Sequence, residues 1–175
     1  MSFAIRPATL DDAAALIAYI QELAREPEID ILFEPNEFNA TVDEERDWLR
    51  HILEADNSTY LVAERDGVLV GTLSAEGGPY RAVRHVVNLG ISVRRDHRNQ
   101  GIGHALLAAA LAWAAGTGIV TRVELSVITR NARAIHLYEK FGFQTEGRRI
   151  AHVRRLGNYY DTLLMAKRLP EPTLP

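Results

Sequence analysis

Apolar and polar positions along the chain alternate between a helical and a strand period. Phe3-Ala4-Ile5-Arg6-Pro7 reads as a short strand. Thr9 with Asp11 and Asp12 marks a helix start, acidic residues sitting at the positive end of the dipole, and Leu16, Ile17, Ile20 and Leu23 then recur at helical spacing. Thr41-Val42-Asp43-Glu44 has the form of a capping box and opens a second helix that runs to about Ala55. Residues 59–64 and 68–74 are strand-like and joined at Asp66-Gly67, a two-residue hairpin signal. In the next strand Val83, Val87, Leu89, Ile91 and Val93 alternate with Val86, Asn88, Gly90 and Ser92. Gly90 inside that strand suggests a bulge or a close approach by a ligand or another backbone.

Residues 101–115 form a third helix, with Ile102, Leu106, Leu107, Leu111 and Trp113 on a broad apolar face and alanines that let it pack closely on a sheet. Val123, Leu125 and Val127 alternate with Glu124 and Ser126 in a further strand. Asn131 can cap a fourth helix carrying Ala134, Leu137, Tyr138 and Phe141, which Gly142 ends. Two last strands, 143–154 and 159–167, are separated by the turn pair Gly157-Asn158. A single mixed sheet flanked by helices is the simplest packing of these elements.

Composition narrows the picture. The chain has 175 residues, of which 47% are hydrophobic and 25% charged, enough for one domain with a full core. It has no cysteine, which excludes a thiol nucleophile, a thiolate zinc site and a disulfide framework and suits a cytoplasmic location. The N-terminus lacks the basic and apolar regions of a secretory signal. The longest apolar stretch, Ala105 to Ala115, is about half the ~20 residues that span a bilayer, so no membrane association is expected. A net charge of −3 argues against nucleic acid as a partner.

The segment Val93-Arg94-Arg95-Asp96-His97-Arg98-Asn99-Gln100-Gly101-Ile102-Gly103-His104-Ala105 runs from a strand through a basic, glycine-containing loop into a helix. Unpaired N–H groups at a helix start and glycines without a Cβ make this a prospective phosphate site, to which Arg98 would add charge. The same residues also read as a tight turn with solvated arginines. No Lys-Ser or Lys-Thr follows to make a nucleotide-binding P-loop, and Leu106 stands where a dinucleotide fingerprint needs its third glycine.

Arg98-Asn99-Gln100-Gly101-Ile102-Gly103 matches the Arg/Gln-x-x-Gly-x-Gly/Ala pyrophosphate loop of the GNAT superfamily of acetyl-coenzyme A dependent N-acetyltransferases. Asn131-Ala132-Arg133-Ala134, Leu137-Tyr138-Glu139-Lys140-Phe141-Gly142-Phe143 and Glu146-Gly147 match a second element of that family in order and separation. The resemblance extends from Ile5-Arg6-Pro7-Ala8 to Gly157-Asn158-Tyr159-Tyr160-Asp161 and Met165, nearly the whole chain. It implies an α/β GNAT fold: one mixed, mostly antiparallel sheet of about seven strands flanked by about four helices, in a single domain over residues 1–169, with 170–175 as a flexible tail.

The resemblance also implies roles. Acetyl-CoA is the expected cosubstrate. Backbone groups of Ile91, Ser92 and Val93 would bond its pantetheine arm, and N–H groups from Arg98 through Asn99, Gln100, Gly101, Ile102, Gly103 and His104 to Ala105 would hold its pyrophosphate. Asn131 would bond the arm, and Tyr138, seven residues later on the same helix face, would point at the sulfur and protonate the departing thiolate. By spacing alone Tyr138 reads as a core aromatic beside Leu137 and Phe141, and it is the resemblance that gives it a role at the sulfur.

The resemblance implies as acceptor a small-molecule primary amine, such as an amino acid analogue, a polyamine or an aminoglycoside, that attacks the thioester directly and must lose a proton to do so. Many relatives place a glutamate where this chain has Asn88, which can orient a water or the substrate but cannot take the proton. Glu34, beside Phe33 in the loop between the first two helices, is a catalytic and substrate-binding candidate with Asn88, although Glu34 and Glu37 also read as solvated loop charge. Pro27, Pro35 and Asn36 mixed with apolar Ile31, Leu32 and Phe33 suggest that this loop folds over something, as a lid or a dimer contact. Glu124 reads as a sheet-surface charge. Arg148-Arg149 and Arg154-Arg155 read as a solvated strand face or as a site for the cofactor's 3′-phosphate or an acidic acceptor. The six histidines show no metal-ligand spacing, so no metal is expected. A homodimer is expected. The alternative acceptors are protein N-termini or lysines, and the third reading is a non-catalytic acyl-CoA-binding module.

Overall fold

The computed structural model describes residues 2–26 and 29–171, so Pro27 and the end of the expected tail lie outside the described residues. In chain order the elements are β1 Ala4–Pro7, α1 Ala13–Ala24, α2 Val42–Glu54, β2 Thr59–Arg65, β3 Val68–Gly77, β4 Val86–Val93, α3 Ile102–Gly116, β5 Arg122–Ile128, α4 Ala132–Lys140, β6 Gln144–Arg155 and β7 Asn158–Arg168. The strands form one seven-stranded sheet in the order β1-β2-β3-β4-β5-β7-β6. All neighbours are antiparallel except β4 and β5. The expected fold class is the observed one.

Strand alternation divides the core between two faces. Leu73, Ala75, Val87, Leu89, Val123, Leu125 and Val127 pack in one cluster with Leu106, Leu107 and Ala110 of α3 and Tyr138 of α4. Tyr60, Val62 and Leu69 pack on the other face with Leu16, Tyr19 and Leu23 of α1 and Leu49 and Ile52 of α2. Leu16, Leu49, Leu106 and Leu107 are fully buried, each contributing about 1.5–3 kcal/mol of transfer free energy. On α1 it is Tyr19, rather than Ile17 or Ile20, that is fully covered, because its ring reaches the polar strip on β3 and β4.

Several local expectations hold. Thr41 caps α2 by accepting from the Glu44 N–H, and the Glu44 carboxylate accepts from the Thr41 N–H at 2.8 Å. Asp66 and Gly67 both have positive φ, as the primed hairpin turns require. Others need correction. The β6–β7 turn is Leu156-Gly157, at φ 49° and 79°, while Asn158 already belongs to β7. Val83 lies in a turn before β4, its N–H donating to the Tyr80 carbonyl. Gly90 makes no bulge: β3–β4 register runs unbroken from Gly71↔Val93 to Gly77↔Val87, and the close approach is by a side chain, since a Cβ at 90 would lie 2.9 Å from Ser74 Oγ.

The first strand is tied to the first helix by charge. Arg6 donates to both Asp12 oxygens at 2.7 and 2.8 Å and to Glu64 on β2, and Asp12 also accepts from the Thr9 N–H. These donors hold the Asp12 carboxyl down at about 2. A carboxyl with its pKa lowered in the fold stabilises above its unfolded value near ~3.9 and loses that contribution as pH falls through the folded value. Asp12→Asn is therefore expected to cost about 1–3 kcal/mol at pH 7 in urea unfolding, with the deficit shrinking as pH approaches 2.

Candidate active site

The parallel pairing of β4 with β5 covers only Val86↔Arg122 to Leu89↔Leu125. Beyond it β4 remains paired to β3 as far as Val93↔Gly71, and β5 to β7 as far as Ile128↔Thr162. Each strand is thus held from outside while the facing edges, Gly90–Val93 and Ser126–Ile128, separate without pairing to each other. Backbone N–H and C=O groups of an opened edge need partners, and an extended ligand is one way to supply them. Ser126 Oγ, one residue past the last pair, is buried without a hydrogen-bond partner. Ser92 has its hydroxyl engaged by Tyr19 Oη and Thr72 Oγ1, each at 3.0 Å, which leaves its backbone for a ligand.

The far end of the opening leads to the loop before α3. Asn99 at φ 63° and Gly101 at φ 83° turn the backbone twice through the left-handed region. The first α-helical bond of α3 is Ala105 N–H to Gly101 C=O at 2.9 Å, leaving the preceding N–H groups for solvent or an anion. No acidic side chain occupies the first turn of α3. A Cβ at Gly103 would meet only ordinary contacts with Leu137 and Val93 at 3.7 and 3.9 Å, so packing alone does not demand glycine there.

Arg98, which the sequence suggested would add positive charge, is engaged by an acidic partner. Arg98 turns inward, its Nη2 bonded to Glu26 and its Nε to the Val93 carbonyl at 2.9 Å. Arg94 pairs with Glu22. The loop is anchored to α1 by these pairs, and Gln100 is pinned by Arg65 Nη1 at 2.7 Å. Main-chain N–H groups and the α3 dipole give the start of that helix a positive potential.

On α4, Asn131 accepts the Ala134 N–H at 3.1 Å as the helix cap. Tyr138 is 6% exposed, packs on Phe143 at 5.8 Å between ring centroids, and belongs to the same apolar cluster as Leu89 and Leu125. Its hydroxyl makes no hydrogen bond among the described residues. Burial raises its pKa well above that of a free phenol, so it keeps its proton at neutral pH.

The opposite face of the sheet presents a row of polar side chains. Cross-strand register places Glu76 beside Asn88 and Asn88 beside Glu124. The three line a groove of about 410 Å³ with Pro79, Val83 and Val86. Glu124 accepts from Arg122 Nε at 2.5 Å, and Arg122 also holds Glu146. Sequence reading missed Glu76, because the loop between β3 and β4 is not a tight turn and sets no register that could be read in advance.

Glu34 has a bracing contact: its Oε1 accepts the Leu156 N–H at 2.8 Å on the β6–β7 turn. Arg155, expected at a solvated face, is 2% exposed, bonding the Ala24 carbonyl at 2.7 Å, the Glu26 carbonyl at 3.2 Å and the Phe33 carbonyl at 3.3 Å. It closes the C-terminal end of α1 and straps the 29–39 loop to the hairpin. Arg130 adds an ion pair to Asp30 at 2.8 Å while stacking on Tyr160. Arg148 pairs with Asp161, and Arg154 lies over the Tyr159 ring. Arg155→Ala is expected to cost about 3 kcal/mol or more in unfolding measurements and to speed hydrogen exchange in the 29–39 loop, because three carbonyls lose a charged donor.

Comparison with known proteins fits this geometry. Residues 17–143 match the model of the acetyltransferase (GNAT) family. The chain is 34% identical over 122 residues to the L-amino acid N-acetyltransferase AaaT of Escherichia coli, covering 69% of this chain and 74% of that one. A GNAT-family acetyltransferase from Streptococcus pneumoniae superposes with a TM-score of 0.92 at 31% identity, over 97% of this chain and 100% of the other. A ribosomal-protein-alanine N-acetyltransferase from Brucella melitensis gives 0.82 at 30% identity, over 95% and 99%. The chain belongs to the GNAT acetyltransferase family.

Proposed function

We propose that this protein transfers an acetyl group from acetyl-CoA, the cosubstrate of the family, to the primary amine of an amino acid or a similar small molecule. The observation that carries the reading is the parting of β4 from β5 after Leu89, with the uncapped start of α3 at the end of the opening. Acetyl-CoA supplies a thioester carbonyl whose sulfur leaves as thiol. Backbone of Ile91, Ser92 and Val93 bonds the pantetheine arm, and N–H groups from Arg98 to Ala105 take the pyrophosphate. Asn131, its oxygen spent on the cap, has its amide N–H2 left for the arm. Tyr138, a neutral phenol in an apolar setting, donates to the departing sulfur.

A small acceptor is supported by the 34% identity to an L-amino acid N-acetyltransferase. Similarity to a ribosomal-protein-alanine acetyltransferase keeps peptide N-termini as the second reading. A homodimer remains part of the proposal, suggested by exposed Ile150, Leu156 and Tyr159 on the edge hairpin, and so does a cytoplasmic location. Among the described residues no helix is long and apolar enough to cross a membrane.

The test is thiol release from acetyl-CoA against L-amino acids, methionine sulfoximine, polyamines, aminoglycosides and short peptides. Release that depends on amino acids is the expected outcome, whereas release with peptides alone selects the second reading and release with none leaves a binding module. Tyr138→Phe is expected to lower kcat about 100-fold while calorimetric affinity for acetyl-CoA changes less than about twofold.

A further inference from the structure

The acceptor amine is mostly protonated at neutral pH and must shed a proton before it can attack. On the α1/α2 face of the sheet, Asn88 stands one residue before Leu89, the last β4 residue paired to β5, and has no basic lone pair to offer. Its two cross-strand neighbours are carboxylates, Glu76 and Glu124. They differ in what holds them. Glu124 is spent on Arg122, itself shared with Glu146. Glu76 makes no hydrogen bond or ion pair among the described residues, lines the 410 Å³ groove with Asn88, and keeps contact with solvent through which a proton can leave.

We propose that Glu76 is the proton acceptor for the amine, acting from β3 in place of a carboxylate on β4. The inference rests on the acetyltransferase reading above. The ammonium form of the acceptor gives one proton to the Glu76 carboxylate, directly or through one water, and Glu76 passes it to solvent along the groove. The freed nitrogen lone pair forms the N–C bond as the C–S bond breaks. The electron pair of that bond stays on sulfur, which takes a proton from Tyr138, and the second N–H proton replaces the one Tyr138 gave. Asn88, between Glu76 and the end of the pairing, orients the amine or the bridging water.

The groups that bear on Glu76 are few. His51 on α2 lies near enough to favour its ionised form, while partial burial acts first and raises its carboxyl pKa. Tyr60 on β2 senses both Glu76 and Glu45 of α2, a carboxylate 4% exposed. Glu124 with Arg122 faces it from β5, and the Arg84–Asp56 ion pair at 2.6 Å closes the loops behind. A carboxyl raised by its surroundings is a stronger base once ionised, which suits the role.

The experiment uses the full chain with the amino acid that wild type acetylates best. Glu76→Gln is expected to lower kcat at pH 7 about 100-fold or more, with acetyl-CoA affinity by calorimetry unchanged within about twofold. The deficit narrows as pH rises past the amine's own pKa, since solution then supplies the neutral amine. Asn88→Glu placed on the Glu76→Gln background restores at least about a tenth of wild-type kcat, because it returns a carboxylate to the same face one strand away. Carbon-13 NMR of the glutamate carboxyls gives a readout free of turnover: Glu76 titrates above the usual ~4.3 and shifts on adding a mixture of L-amino acids without acetyl-CoA. A Glu76→Gln enzyme within about threefold of wild type at pH 7, a larger loss in Glu124→Gln, or a loss independent of pH overturns the proposal. If wild type acetylates no amine, the functional reading fails separately. The NMR titration then decides, and an ordinary Glu76 midpoint indifferent to amino acids rejects the role.

Discussion

Everything proposed for this molecule depends on the short parallel ladder between β4 and β5. Four residue pairs, ending at Leu89↔Leu125, hold the halves of the sheet together, and the strands then diverge while each stays bonded to its outer neighbour. A sheet can carry such an opening only if its core does not rely on the missing bonds. Here it does not, because α3 packs across β2, β3 and β4 and the β6–β7 hairpin braces β5. The opened edges keep their hydrogen-bonding capacity and sit above a continuous apolar layer, an arrangement suited to a long, polar-backboned ligand.

Charge is arranged to leave that opening free. Arginines 94 and 98 are drawn to Glu22 and Glu26, so they fix the loop geometry rather than compete for an anion. Arg155 does the same for the carbonyl end of α1. A buried charge such as Arg155 acts as a positioning device, since it is costly to leave unpaired. On the proposed function, anion binding is left to main-chain groups, whose position is set by Asn99 and Gly101 in left-handed conformations.

Legibility in the sequence followed the range of the interaction concerned. The Thr41 cap, the Asp66-Gly67 turn, the Asn131 cap and the glycine loop are encoded within a few residues, and all were readable. The Leu156-Gly157 turn slipped by one because Gly157-Asn158 and Leu156-Gly157 are both plausible turn pairs, and only strand register decides between them. The inward turn of Arg98, the bracing contact of Glu34 and the burial of Arg155 depend on partners 72 to 131 residues away. The Glu76–Asn88–Glu124 row was invisible for the same reason: Asn88 could be singled out by resemblance, but its neighbours follow only from β3–β4 and β4–β5 register.

That register also separates the two groups proposed as acid and base. Because successive side chains on a strand point to opposite faces, Leu89 faces the cluster that holds Tyr138 while Asn88 faces the groove that holds Glu76. A neutral phenol in an apolar layer and a carboxylate at a solvent-bearing groove then lie on opposite sides of one sheet, each with its protonation state set by its own surroundings. On the proposed mechanism they act on opposite ends of a reacting centre held where β4 and β5 part, the nitrogen entering from one face and the sulfur leaving toward the other.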